Sequence, residues 1–158
     1  MQTHARMEYA DFNQTAPAVA AALRSLSKAV DDSGLDKALT ELIKVRASQI
    51  NGCAFCVQFH LNAARGLGLD QRKLDLVAAW RDAGIFSTRE LAALAWTEAL
   101  TGLGTEGTDA AYAQVSEQFS DAETAHLSAA IANINAWNRI AVGLRFSPPA
   151  PAQPRSGA

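Results

Sequence analysis

About one residue in five is alanine, the strongest helix former, and no run of β-branched residues alternates with period two. Such a chain has the material for helices and little from which to make a sheet. The punctuation agrees. Thr15-Ala16-Pro17 opens a helix over residues 17–32, with Pro17 tolerated in its first turn, and Ser33-Gly34 stops it. A second helix is predicted over 36–50, where Leu35, Leu39, Leu42, Arg46 and Gln49 fall near one stripe, and Asn51-Gly52 breaks it. A third begins near Cys53 and fades at Gly66-Leu67-Gly68. Asp70 is a good N-cap for a fourth over 71–83. Ser87-Thr88-Arg89-Glu90 and Ser120-Asp121-Ala122-Glu123 are capping boxes, the first for a helix ending at Gly102, the second for a long last helix to about Arg145. Thr108 caps a short helix between them. The reading is all-α, with six to seven helices.

The 158 residues suit one domain, placed over 1–146, large enough for a core without disulfide staples. The remainder, 147–158, is rich in proline and is expected to be an extended, flexible tail. A net charge of -2 leaves no general basic surface for nucleic acid phosphates. No apolar run reaches the roughly 18 residues of a membrane span. The first residues lack the apolar core of a secretory signal, so the expected compartment is the cytoplasm. Structural disulfides are rare there, and the chain has only two cysteines, Cys53 and Cys56. A redox pair or a metal site is left.

The informative stretch is Glu41 through His60, E-L-I-K-V-R-A-S-Q-I-N-G-C-A-F-C-V-Q-F-H. On a helix beginning at Cys53, Cys56 lies about 60° and His60 about 20° from Cys53, so the three side chains share one wedge. Residues three apart on a helix have Cα atoms about 5 Å apart, within the range a disulfide needs. His60, one turn beyond Cys56, can exchange protons with it. Glu41 enters through the break at Gly52. If the flanking helices pack antiparallel, Glu41 and His60 stand at nearly the same height. A carboxylate among Thr40, Leu42 and Ile43 also needs a partner, since an unpaired buried charge is costly.

This cluster suits thiol chemistry because the thiolate is the nucleophile and a free cysteine is mostly protonated at neutral pH. Cys53 at a helix N-terminus gains from unpaired backbone N–H groups, which favours it as the more acidic thiol. His60 can take a thiol proton, and Glu41 can orient His60 or receive its charge. The strand-rich context of a thioredoxin motif is missing. Zinc is the rival, with two thiolates, His60 and Glu41 as four ligands. Redox chemistry is preferred because structural zinc usually gathers ligands from loops and no second CxxC exists.

Other features are weaker. Gly102-Leu103-Gly104-Thr105-Glu106-Gly107 matches G-x-G-x-x-G but follows a helix, and is read as a loop. His4 lies near the terminus, and His126 has no evident partner. Trp80, Trp96 and Trp137 are read as core or subunit contacts. Asn133, Asn135, Asn138 and Arg139 interrupt the apolar last helix and are read as a solvated face, with an interface or a polar pocket as alternatives.

Glu41, then Cys53-Ala54-Phe55-Cys56, then His60 resembles the signature of alkylhydroperoxidase D-like proteins of the carboxymuconolactone decarboxylase superfamily. The intervening Arg46-Ala47-Ser48-Gln49-Ile50-Asn51-Gly52 fits as well, and the order of helices extends the likeness over most of the chain. The resemblance implies an all-α fold, assembly into trimers or hexamers, and a cysteine-based peroxidase or disulfide reductase without a bound cofactor. It implies that Cys56 attacks a small hydroperoxide and that Cys53 resolves the sulfenic acid as a disulfide. His60 and Glu41 would serve proton transfer, and a dithiol or lipoyl-type donor would restore the thiols. The decarboxylase branch typically lacks the cysteine pair, so a lyase is the more distant reading. A histidine just before the second cysteine, usual in the well-studied relatives, is Phe55 here, and this chain has one helical unit where they join two.

Overall fold

The computed structural model describes residues 5–104 and 107–152. The helix that organises it is α3, Lys37–Ile50, opened by Asp36, whose carboxylate accepts the Ala38 N–H. Nearly every residue from Leu39 to Ser48 is buried, because α3 is covered by α4 (Ala54–Gly66), α7 (Thr88–Gly102) and α9 (Asp121–Leu144). A helix enclosed on three sides needs apolar residues around most of its circumference, and Leu39, Leu42, Ile43 and Val45 supply them. Polar groups on such a helix have to find partners inside.

The remaining elements close round this axis. α1 spans Tyr9–Thr15, α2 Pro17–Asp32, α5 Gln71–Leu76, α6 Trp80–Ala83 and α8 Asp109–Gln118. There is no strand among the described residues. Ser87 and Ser120 form the two capping boxes, each hydroxyl accepting the N–H three residues on while that glutamate returns to the serine N–H. Thr108 precedes α8 but makes no side-chain cap. The main core lies between α3, α7 and α9, around Leu42, Ile43, Leu94, Leu127 and Ile131. A second cluster holds Phe12, Ala47, Ile134 and Phe146 together with both cysteines.

Three sequence expectations need correction. α1 precedes the first predicted helix. It is short and has no side-chain cap, so little marks it locally; Phe12 holds it by meeting Trp137 and Phe146 at ring-centroid distances of 6.0 and 5.7 Å. The single helix expected over 71–83 is broken by a 3-10 turn, Val77–Ala79. This tighter turn accompanies burial of Val77 and Trp80, whose indole N–H donates to Glu98 Oε1 at 2.8 Å. Glu98 also receives Arg46 and Arg81, tying α3, α6 and α7 together.

The third correction concerns α9. Its asparagines are not a solvated face: Asn133 and Asn138 are buried and Asn135 is half-buried. Asn138 accepts from Asn51 Nδ2 at 2.9 Å and donates to Ser48 Oγ at 3.0 Å. Asn135 accepts from the same Asn51 amide. Asn133 donates to the Leu23 carbonyl and Ser27 Oγ, joining α9 to α2. Trp80 and Trp96 are core residues. His126 bonds the Ala122 carbonyl of its own helix through Nδ1. His4, Thr105 and Glu106 lie outside the described residues, as do 153–158.

From Ser147 to Ala152 the chain is non-helical and runs beside α4. Ser147 donates through N–H and Oγ to the Glu8 carboxylate, and Asn62 pairs with the backbone at Ala150 O and Ala152 N. No helix among the described residues is long and apolar enough to cross a membrane.

Candidate active site

The turn between α3 and α4 sets the site. Asn51 ends α3, Gly52 adopts φ +65°, and Cys53 returns its N–H to the Ser48 carbonyl at 3.0 Å. A positive φ is cheap only for glycine, which explains the Asn-Gly pair. The reversal lays α4 antiparallel against α3. Cys53 is therefore the N-cap of α4, one position outside the helix, and its sulfur accepts the Cys56 N–H at 3.2 Å. Cys53 and Cys56 form a disulfide with Cα atoms 5.3 Å apart. Both are buried, at 1% and 3% exposure.

One turn further along α4, His60 Nδ1 lies 2.7 Å from Glu41 Oε2. The pairing expected across the Gly52 break is present. The sequence reading missed the third member: Lys44, one turn along α3, donates to Glu41 Oε1 at 2.9 Å and is itself almost buried. Its signal was available, as a lysine three residues after the glutamate and flanked by Leu42, Ile43 and Val45.

Burial alone would raise the Glu41 pKa. The hydrogen bond and charge of His60, with the Lys44 ammonium, overcome it and hold the carboxyl at about 2. A carboxylate so acidic is ionised at neutral pH and can only accept. The bonded His60 nitrogen therefore carries the hydrogen, and Nε2 is left outside the bond to Glu41.

A cavity of about 150 Å³ opens onto Cys56, His60 and Lys44. Its other walls are mainly aromatic, from Tyr9, Phe55, Phe59 and Trp137, with Arg24 exposed beside them. Phe55 belongs to an aromatic cluster, 5.1 Å from Tyr9 and 5.8 Å from Phe59 between centroids. The cavity thus joins a sulfur, a base and a buried cation to an apolar lining of the volume that holds a benzene-sized guest in other proteins. Among the described residues, no group of three or more His, Cys, Asp or Glu side chains is arranged to hold a metal ion, so the four-ligand zinc site has no counterpart there.

Comparison with known proteins agrees with this geometry. The carboxymuconolactone decarboxylase family matches residues 17–99, a stretch that holds Glu41, Cys53, Cys56 and His60. A crystal structure from Agrobacterium tumefaciens shares the fold with a TM-score of 0.86 and 37% identity, over 93% of this chain and 99% of that one. It is a protein of unknown function proposed to be the antioxidant defence protein AhpD.

The chain is an AhpD-like member of the carboxymuconolactone decarboxylase superfamily.

Two further relatives extend the picture. An uncharacterized peroxidase-related protein from Ralstonia eutropha, with an alkylhydroperoxidase AhpD core, has a TM-score of 0.77 and 25% identity over 88% of this chain and 75% of its own. The uncharacterized protein YdfG of Bacillus subtilis is 31% identical over 134 residues, 84% of this chain and 91% of that protein. In this AhpD-like chain the family match includes every residue of the Glu41 cluster and leaves out Tyr9 and Trp137, which complete the cavity wall.

Proposed function

We propose that this protein is a cysteine-based hydroperoxidase, cycling between a dithiol and the Cys53–Cys56 disulfide. The observation that carries the reading is the placement of Cys56, disulfide-bonded to Cys53, at an apolar cavity whose wall also holds His60, itself fixed by an ionised Glu41. In the reduced protein, His60 Nε2 takes the Cys56 proton. The thiolate attacks the terminal oxygen of a hydroperoxide, the O–O bond breaks, and the leaving alkoxide takes a proton to become an alcohol. Cys53 then displaces hydroxide from the Cys56 sulfenic acid, water leaves, and the disulfide closes. A dithiol donor supplies two electrons and two protons to restore the pair. Glu41 acts as an orienting anion and Lys44 balances its charge, so the relay runs through His60 with Glu41 ionised throughout.

Cys56 is assigned the attack because it shares the cavity with His60 and Lys44, whereas Cys53 does not line it. The helix N-terminus still favours a low pKa at Cys53, which suits a resolving thiol that must act as a nucleophile. Phe55 brings an aromatic wall to the position where well-studied relatives have an imidazole, so His60 is the base of this reading. Assembly into trimers or hexamers, a lipoyl-type donor and a reducing cytoplasmic setting belong to the same reading.

The test is intact mass of the reduced protein after one equivalent of tert-butyl hydroperoxide. A loss of two hydrogens, reversed by dithiothreitol, is expected. Cys53→Ser should stop at the sulfenic acid and Cys56→Ser should stay unoxidised. Full turnover by both single variants would refute the reading, and activity surviving loss of both cysteines would favour a lyase. Light scattering at micromolar concentration tests the assembly.

A further inference from the structure

The two sulfurs of the disulfide face different openings. Cys56 lines the aromatic cavity; Cys53 lines a separate groove with Gln49, Val57, Gln58 and Pro148, and the two linings share no residue. Every acid–base group of the site stands on the Cys56 side. The Cys53 groove has no ionisable side chain other than the cysteine itself. Because Cys53 is only 1% exposed, a thiol can reach its sulfur only after something moves.

Ser147–Ala152 is held at that groove mainly by hydrogen bonds. Pro148 sits in the groove lining, and its neighbours 147, 150, 151 and 152 are exposed, so little apolar burial fastens them. They are tied at two points, by Glu8 to Ser147 and by Asn62 to the backbone of Ala150 and Ala152. Asn62 also accepts from Gln58, a groove residue, so the tie and the groove wall are one network.

We propose that the Cys53 groove is the entry site for the reducing thiol, and that Ser147–Ala152 is a strap which must lift to admit it. The proposal rests on the reading of the disulfide as redox-active. One thiolate of a dithiol attacks Cys53 Sγ, the S–S bond breaks, and Cys56 leaves with the electron pair as a thiolate. The second thiol of the donor, deprotonated, then attacks the donor sulfur. The mixed disulfide breaks, the donor leaves as its own disulfide, and the released Cys53 thiolate takes a proton.

Single-thiol chains separate the two sides. In Cys56→Ser, reaction of Cys53 with dithiodipyridine should become at least about tenfold faster when Glu8→Gln and Asn62→Ala weaken or remove the four hydrogen bonds that tie the strap. In Cys53→Ser, the same changes should leave the Cys56 rate unaltered. A chain ending at Phe146 gives a second version should the double variant fold poorly. An unchanged Cys53 rate overturns the proposal, as does an equal rise at both cysteines, which would mean general loosening. Failure of the peroxidase reading looks different: peroxide would leave the reduced native protein unoxidised, while the thiol-access rates stayed as measured.

Discussion

The ring of Phe146 meets that of Phe55 edge-on, with centroids 5.3 Å apart. Phe55, the second of the two residues between the cysteines, is therefore held by a residue just beyond the end of α9. Phe146 also packs on Tyr9 and Phe12, so α1 and the segment after α9 converge on the first turn of α4.

Phe146→Ala should lower stability by about 3–5 kcal/mol, the usual cost of emptying a buried phenylalanine site. Denaturant unfolding measures it. A change under about 1 kcal/mol would mean that the aromatic cluster collapses to fill the space.

Glu41→Gln should slow oxidation of the reduced protein by about 100-fold, since His60 loses the anion that fixes its tautomer. It also leaves the Lys44 ammonium buried and unpaired, at a cost of about 3 kcal/mol. Adding Lys44→Met should recover most of that stability and none of the rate. Stopped-flow oxidation and urea unfolding of the two variants separate the roles. Recovery of rate with stability would reduce Glu41 to a packing element.

Acid should weaken the fold through the same carboxylate. Its folded pKa of about 2 lies below the unfolded value of 4.5, so its stabilisation is complete above pH 4.5 and is lost as pH falls towards 2. The difference corresponds to roughly 3 kcal/mol. Unfolding free energy followed from pH 6 to pH 2 should fall less steeply in Glu41→Gln. Parallel curves would show that other carboxylates dominate.

Asn138→Ala should cost about 2 kcal/mol, because Ser48 Oγ and the Asn51 amide each lose a buried partner. Gly52→Ala should cost nearer 1 kcal/mol. Nothing crowds a Cβ there, so the penalty is the positive φ alone. Both follow from thermal or urea melts. A larger effect of Gly52→Ala than of Asn138→Ala would reverse the assigned weights.

The legible part of the molecule was whatever local physics dictates. Ser87, Ser120 and Asp36 announce helix starts by hydrogen bonds within three residues, and those starts are where they were expected. Glu41 and His60 could be paired because the Gly52 turn fixes the register of two adjoining helices. Contacts between distant segments left no such mark. Tyr9 meets Trp137 across the whole chain, and nothing near either residue predicts it. Asn138 looks polar in sequence, yet it is fully enclosed because Ser48 and Asn51 are there to receive it. The break at Val77–Ala79 likewise accompanies the bond from Trp80 to Glu98, eighteen residues on.

The family match stops at residue 99, short of α9, and starts after α1. Tyr9 and Trp137 lie outside that match, on the two helices that close the cavity from opposite ends of the sequence. Exchanging Tyr9 or Trp137 would reshape the cavity wall while Glu41, Cys53, Cys56 and His60 keep their places. For an engineer, the first and last helices are the place to alter the guest while the sulfur chemistry is left alone.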